Sequence, residues 1–296
     1  MLALILACLS VLGRMYCFNI PTQSRASPHF LLGTALGHVS HPDQTSGLCA
    51  SRVHPNILYA HNDKGDGPKL YAISALTGEQ KKTIHIYGAH NHDWEDIACG
   101  PCDGSGGHCI YIGDIGDHSG DGARNIIYKI REPAVMDLMG GDITVDVEAQ
   151  LRFIWNPPQQ DSETLMVDPQ GNVYVISKVA NGKGQVGMID SSAWENSTIA
   201  VVANLTTLPL STGNEDPSGG DISLDGNEIL IQTHHQVFYW QRTPGSSVRD
   251  TLMQNPISVP FHYNKHVDSV AWDAQGRGYY TLSEEEHDKL YYYARQ

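Results

Sequence analysis

Short apolar runs recur along this chain, each closed by a turn, followed by a second apolar run and then by a polar cluster. Five copies begin at Ser46-Gly47-Leu48, Glu95-Asp96-Ile97, Glu163-Thr164-Leu165, Gly220-Asp221-Ile222 and Asp268-Ser269-Val270. The runs are rich in β-branched and aromatic residues, as in Ile57-Leu58-Tyr59-Ala60 and Cys109-Ile110-Tyr111-Ile112. Gly, Pro, Asp and Asn bound them, which reads as strands joined by tight turns. Asp168-Pro169-Gln170-Gly171, Asp225-Gly226 and Asp273-Ala274-Gln275-Gly276 occupy one place in three copies, between the first and second strands. Long amphipathic helical patterns are absent, and Ala134 to Met139 is one turn at most.

A radial repeat of this kind predicts an all-β fold in which each unit supplies four antiparallel strands, one propeller blade. The fifth unit holds only three strands: Asp268–Trp272, Gly278–Leu282 and Lys289–Ala294. A spare strand lies upstream at His29–His38. It is expected to complete the last blade, because an unpaired terminal blade would leave a sheet edge open. The expectation is five blades, or six if the segment from Arg131 to Trp155 hides further strands.

The apolar N-terminus, Met1 to Gly13, is too short for a bilayer span, which needs about 20 residues. It fits a signal-peptide core without a basic leader. The division expected is a signal peptide at 1–17, a short linker at 18–28 and one propeller domain at 29–296. The mature chain then has no membrane span and is secreted. Asn196 and Asn204 open glycosylation sequons. Past the leader stand Cys49, Cys99, Cys102 and Cys109, an even set that suits an oxidising compartment. Cys102 and Cys109 flank a Gly-rich turn, and Cys49 and Cys99 lie at similar places in adjacent copies. Three connectivities remain open. A zinc reading of Cys99-Gly100-Pro101-Cys102 lacks a second close pair.

A net charge of −14 argues against nucleic acid, whose phosphates need basic patches. It fits a soluble extracellular protein or one that holds cations. In a propeller, the starts of first strands and the ends of second strands meet at one mouth of the central channel. The starts bring Glu95, Asp96, Glu163, Asp221 and Asp268. The ends bring His61, Asn62, Asp63, Asp114, Asp117, Lys178, His234 and Glu284. Crowded carboxylates repel unless neutralised, and a hard cation with oxygen ligands is the simplest neutraliser. Calcium is expected on Glu95, Glu163, Asp221 and Asp268. Lys178 is expected to neutralise one carboxylate, which weakens the metal case. The bland reading is that several of these Asp and Asn residues only form turns. A rival zinc site would use His61, Asp63, His90 and His92, with His85 nearby.

Several motifs together resemble a group of largely uncharacterised secreted β-propeller proteins of bacteria and animals. They are His61-Asn62-Asp63-Lys64-Gly65-Asp66, Asp93-Trp94-Glu95-Asp96-Ile97-Ala98, Tyr111-Ile112-Gly113-Asp114-Ile115-Gly116-Asp117, Asp161-Ser162-Glu163 with Val167-Asp168-Pro169, and Gly220-Asp221-Ile222-Ser223. The likeness runs from about Ser46 to the C-terminus. His118 stands where such proteins usually have Asn, and Asp268 where Glu is usual. The resemblance implies the fold and no reaction. More distantly, calcium-dependent propeller hydrolases place an acidic mouth around calcium, an analogy of fold.

Two functions follow. One is a calcium-dependent hydrolase of small esters, lactones or phosphoesters, with Glu95 or Asp96 as base and His61 or His92 as proton shuttle. The other is a non-catalytic module that binds a small molecule, an extracellular glycan or a protein, with a structural cation.

Overall fold

The computed structural model describes residues 29–102, 106–117, 124–134, 141–156, 161–178, 183–195, 199–210, 216–264, 266–285 and 288–296, and the backbone path of 4–11 and 14–21. Leu4–Val11 (β1) and Arg14–Pro21 (β2) pair antiparallel as a sheet of their own, and Thr34–His38 (β3) follows. The rest is a five-bladed β-propeller.

Blade one is Thr45–Ala50 (β4), Ile57–Asn62 (β5), Lys69–Ser74 (β6) and Gln80–Tyr87 (β7). Trp94–Pro101 (β8), His108–Asp114 (β9) and Ile126–Arg131 (β10) open blade two. Ile143–Asp146 (β11) turns back to extend blade one, pairing parallel with β7, and Ala149–Asn156 (β12) completes blade two. Blade three is Ser162–Val167 (β13), Val173–Ser177 (β14), Gln185–Ile189 (β15) and Ala200–Thr207 (β16). Pro217–Ile222 (β17), Glu228–Thr233 (β18), Gln236–Gln241 (β19) and Ile257–Val259 (β20) form blade four. A helix, Val248–Leu252 (α1), lies between its last two strands, capped by Ser247 Oγ accepting from the Asp250 N–H. Blade five is Val267–Trp272 (β21), Gly278–Ser283 (β22) and Lys289–Ala294 (β23), and β3 pairs antiparallel with β23 to close the ring. The spare upstream strand therefore does what its position suggested. Among the described residues of 131–155, β11 extends blade one, β12 belongs to blade two, and no sixth blade begins.

The first strands β4, β8, β13, β17 and β21 pack in that order around the axis, with β21 against β4. β4, β13 and β17 are buried along their whole length, so both faces need apolar or satisfied side chains. Alternation sends one face to each neighbouring blade. In β5, Leu58 and Ala60 pack toward blade five while Tyr59 packs toward blade two. The core is thus a set of wedges between blades, not one central mass.

Cross-links reinforce the wedges. Disulfides join Cys49 to Cys99 across blades one and two, and Cys102 to Cys109 within a hairpin. Cys99 and Cys102 therefore belong to different bridges, which removes the zinc reading of that pair. Buried Glu132, just after β10 of blade two, accepts from Arg52 N–H, Val53 N–H and Tyr59 O–H of blade one, each at 3.2 Å. Arg295 grips Glu228 with both terminal nitrogens, at 3.0 and 2.8 Å, and so ties blade five to blade four. The repeated turns form as expected. Asp168 Oδ1 accepts from Gln170 N–H at 2.9 Å, Asp273 Oδ1 from Gln275 N–H at 2.7 Å, and Gly171 and Gly276 take positive φ of 80° and 69°.

Candidate functional site

Each first strand carries a β-bulge at its second residue, where its register with the next strand slips. The bulged residues are Ser46, Glu95, Glu163, Ser218 and Asp268. An extra residue in one strand bends it and re-aims a side chain. The rim of the channel is built from this device, repeated in every blade. Just before each first strand stand Gln44, Asp93, Asp161, Asp216 and His266. Just after each second strand stand Asp63, Ile115, Lys178, His234 and Glu284.

On the side of blades one and two, acid meets acid. Asp63, Asp93 and Glu95 each bring one carboxylate oxygen within 4.8 Å of the others. Glu95 is 7% exposed and Asp93 4%. Ser46 Oγ donates to the Glu95 carbonyl at 2.7 Å and lies 3.2 Å from its carboxylate Oε2. Burial, then Glu163, Asp63, Asp93 and Asp161, push the Glu95 carboxyl well above its ordinary value. Gly116 lies directly over this group, and a Cβ there would run into Glu95 Oε1 and Asp93 Oδ2. Asp114 and Asn62 pin the loops rather than point at the group. Asp114 Oδ1 accepts from Asp93 N–H and Asn62 Oδ1 from Gln44 N–H, both at 2.9 Å. Both bonds reach back to the residue before the first strand and close no local turn.

On the side of blades three to five, acids meet bases. Lys178 Nζ donates to Glu163 Oε1. His234 Nδ1 lies 3.0 Å from Asp268 Oδ1. Burial pushes Glu163 up to about 7, with Lys178 working the other way and Asp268 and Asp161 adding to the rise. Glu284 is pushed to about 7 by burial, Asp268 and Asp63. Burial works against the charge of Lys178, yet Glu163, Glu95 and Asp161 hold it above its ordinary value. Asp268 raises His234 above 6.5 against the burial penalty. Asp161 Oδ1 accepts from Asp117 N–H at 2.7 Å and so anchors the loop at Asp117.

Beneath the rim the picture changes. Asp96 is fully buried and accepts from Ile97 N–H at 2.8 Å, Leu165 N–H at 2.9 Å and Gly220 N–H at 3.2 Å. It staples the inner strands of three blades, and that role is incompatible with an exposed base. Burial raises its carboxyl and those amides oppose the rise. Asp221 is corrected as a rim residue. The bulge of blade four falls at Ser218, which places Asp221 three residues deeper, where its Oδ2 accepts from Trp272 N–H at 2.9 Å. Burial lifts it to about 6, against the pull of Arg52.

His61 is also corrected as a proton shuttle. It is fully buried, its Nδ1 lies 2.8 Å from the Asn62 carbonyl, and it packs edge-on against Trp94. Burial lowers it to about 4, so it is neutral. His92 acts on Asp114, His90 is exposed, and His85 lies 3.7 Å from Asp142 on the outer strand of blade one. Among the described residues no histidine joins a group with metal-ligand spacing, so the zinc site is not assembled. Asn204 is exposed on β16, and Asn196 lies outside the described residues.

Asp93 and Asp161 are rim acids that the strand-start reading passed over. Their signal is the repeated Asp-x-Glu of Asp93-Trp94-Glu95 and Asp161-Ser162-Glu163. Ser218 was hidden because its copy carries no acid at the bulge.

No family model matches the chain, and no curated protein matches it in sequence. Among solved structures, the PQQ-bound aldose sugar dehydrogenase of Streptomyces coelicolor matches 91% of this chain and 98% of its own, at a TM-score of 0.51 and 12% identity. At that identity the likeness shows the propeller fold alone.

Proposed function

We propose that this is a secreted propeller that holds a divalent cation at the channel mouth through Asp63, Asp93 and Glu95, and that it hydrolyses a small oxygen-rich molecule there. The carrying observation is the approach of those three carboxylates within 4.8 Å. Their all-oxygen chemistry favours calcium over softer metals. A second observation supports a polar occupant. Ser218 Oγ, at the fourth rim position, is buried and has no hydrogen-bond partner. Thr164 Oγ1, one residue below the rim, is in the same state. Bound at this place, the cation would polarise a substrate oxygen.

A non-catalytic binding module is the second reading, and one feature favours it. Asp63 follows the second strand of blade one while Asp93 and Glu95 lead blade two, so an ion held by all three would also pin two blades together.

One experiment addresses both. The full chain is stripped with a chelator, titrated with calcium, and followed by melting temperature and by turnover of small esters, lactones and phosphoesters. A hundredfold excess of ion over its Kd stabilises by about 2.7 kcal/mol, a shift of several degrees. A shift with turnover supports the hydrolase, and a shift without turnover supports the module. No shift with any divalent ion removes the cation.

A further inference from the structure

We infer that the protein binds a sugar acid, a monosaccharide carrying a carboxylate, in a cavity between blades two and three on the face opposite the channel mouth. The site is separate from Asp63, Asp93 and Glu95, and the inference makes no use of the cation.

The cavity holds about 480 Å³. Across it, Pro101, Tyr111 and Lys129 of blade two face the first turn of blade three and the short helix Ser191–Glu195. These segments lie where first and third strands end, away from the rim.

The space is open because blade three departs from the repeat. Directly after the third strand stand Glu132 in blade two, Arg242 in blade four and Arg295 in blade five. Each donates its backbone N–H to the chain at the start of the second strand, at His108, Asn227 and Arg277. Their long side chains are spent on neighbours. Glu132 reaches blade one, Arg295 reaches Glu228 of blade four, and Arg242 Nη1 donates to the Gly226 carbonyl at 2.6 Å. Blade one has Ala75 there, and side chains of blade five, Arg277 and Tyr280 among them, leave only about 10 Å³. Blade three has Asp190, which turns away to Ser192, accepting from its N–H at 2.9 Å and its Oγ at 2.6 Å. The crevice toward blade two is left unfilled.

Its walls are fixed in advance. Asp168 accepts from the Gln170 and Asn172 N–H groups, both at 2.9 Å, and Asn172 Oδ1 accepts from Ser191 N–H at 3.1 Å. Turn and helix are thus tied together, which lowers the ordering cost of binding.

The donors choose the guest. Lys129 is cross-strand partner to Tyr111 and only 5% exposed. Its Nζ lies 4.4 Å from the Trp194 ring centroid and donates to the Cys102 carbonyl at 3.3 Å. Trp194 Nε1 is enclosed and has no hydrogen-bond partner among the described residues. An ammonium and an indole N–H donate and cannot accept, so a guest that suits both presents an acceptor. A carboxylate is the acceptor that gains most from an ammonium. Pro101 and Pro169 offer C–H surface to a ring face. The exposed Gln170 and Glu195 offer an amide and a carboxylate to hydroxyl groups. An acid at one end, hydroxyls at the other and apolar ring faces between them describe a sugar acid.

The test is isothermal titration of the full chain with glucuronate. Glucose lacks the carboxylate and benzoate lacks the hydroxyls, and both should bind at least about tenfold more weakly. Trp194→Phe keeps a ring and removes the N–H, and should weaken glucuronate by about tenfold. Lys129→Met removes the charge and should weaken it further. Gln170→Trp, on the exposed turn, should close the entrance, and with Trp194→Phe it carries the test if Lys129→Met fails to fold. Melting temperature reports folding of each variant. Calcium and chelator should leave glucuronate affinity unchanged, so the outcome is independent of the rim. Absence of glucuronate binding by the wild type overturns the inference. Equal affinity for glucose or benzoate overturns the sugar acid, and unchanged affinity in Trp194→Phe and Gln170→Trp overturns the site.

Discussion

Glu95 and Asp96 are neighbours in one strand, both buried at the channel, and they do opposite things. Asp96 faces three backbone amides from three blades and is consumed by holding them. Glu95 sits on a bulge, faces Asp63 and Asp93, and is destabilised by every one of those neighbours. The lower tier of acids is structural because the protein itself supplies the compensating donors. The upper tier is poised because much of its surroundings is more acid. A buried carboxylate is informative about function only after its donors are counted.

The largest expected effect comes from the lower tier. Asp96→Ala leaves three buried N–H groups without an acceptor, and each such group costs about 1–3 kcal/mol. Urea unfolding should show a loss of at least about 3 kcal/mol, while the calcium-induced melting shift survives. A loss below about 1 kcal/mol would break the contrast between the tiers.

Glu95→Gln should do the reverse. It removes a charge that burial and four acids oppose, so the metal-free protein should change by less than about 1 kcal/mol. The calcium-induced gain, about 2.7 kcal/mol at a hundredfold excess, should vanish. A variant that still melts higher with calcium would move the ion off Glu95.

Lys178→Met comes next. It leaves Glu163 without its ammonium partner, and because Lys178 is one-third exposed the loss should be only about 1 kcal/mol. The rim becomes more negative, so calcium should bind several-fold tighter by isothermal titration. Weaker binding would mean that Lys178 positions the site.

The last comparison is read against pH instead of by substitution, in the metal-free protein. Glu163 and Glu284 are held up to about 7 in the fold against an ordinary value of 4.5. The folded state therefore binds these protons more tightly than the unfolded chain. The stability they supply is complete below pH 4.5 and is lost as pH rises toward 7. His234, raised above 6.5, adds a loss of the same sign at higher pH. Melting temperature in chelator should fall from pH 5 to pH 7.5, and calcium should narrow that fall. A rise over this interval would contradict the environment assigned to the rim.

Much of this was legible in the chain because strand periodicity and turn chemistry are local. The five units, the Asp–Gly turns, the closing role of the strand near His29–His38 and acids at first-strand starts all follow from short-range pattern. The errors share one cause. Gly220-Asp221-Ile222 matches Glu95-Asp96-Ile97 in spelling, yet the bulge at Ser218 shifts the true correspondence by two residues. A bulge is a property of pairing between strands, and no single strand spells it. Likewise, β11 joins blade one by parallel pairing with β7, a partner distant in sequence. The histidines before Trp94 looked ligand-like from spacing, but the backbone sends His90 outward and seals His61 in.

What the amino-acid order alone determined is the ring. Alternating apolar residues with turns at fixed intervals, repeated five times, bury their surface by stacking sheets radially, and the spare strand near His29–His38 supplies what the fifth unit lacks. What the tertiary structure decided is which acids are spent and which remain poised. That depends on whether backbone amides from other blades reach each carboxylate, a matter of ångströms between segments more than a hundred residues apart, as Asp96 and Gly220 are.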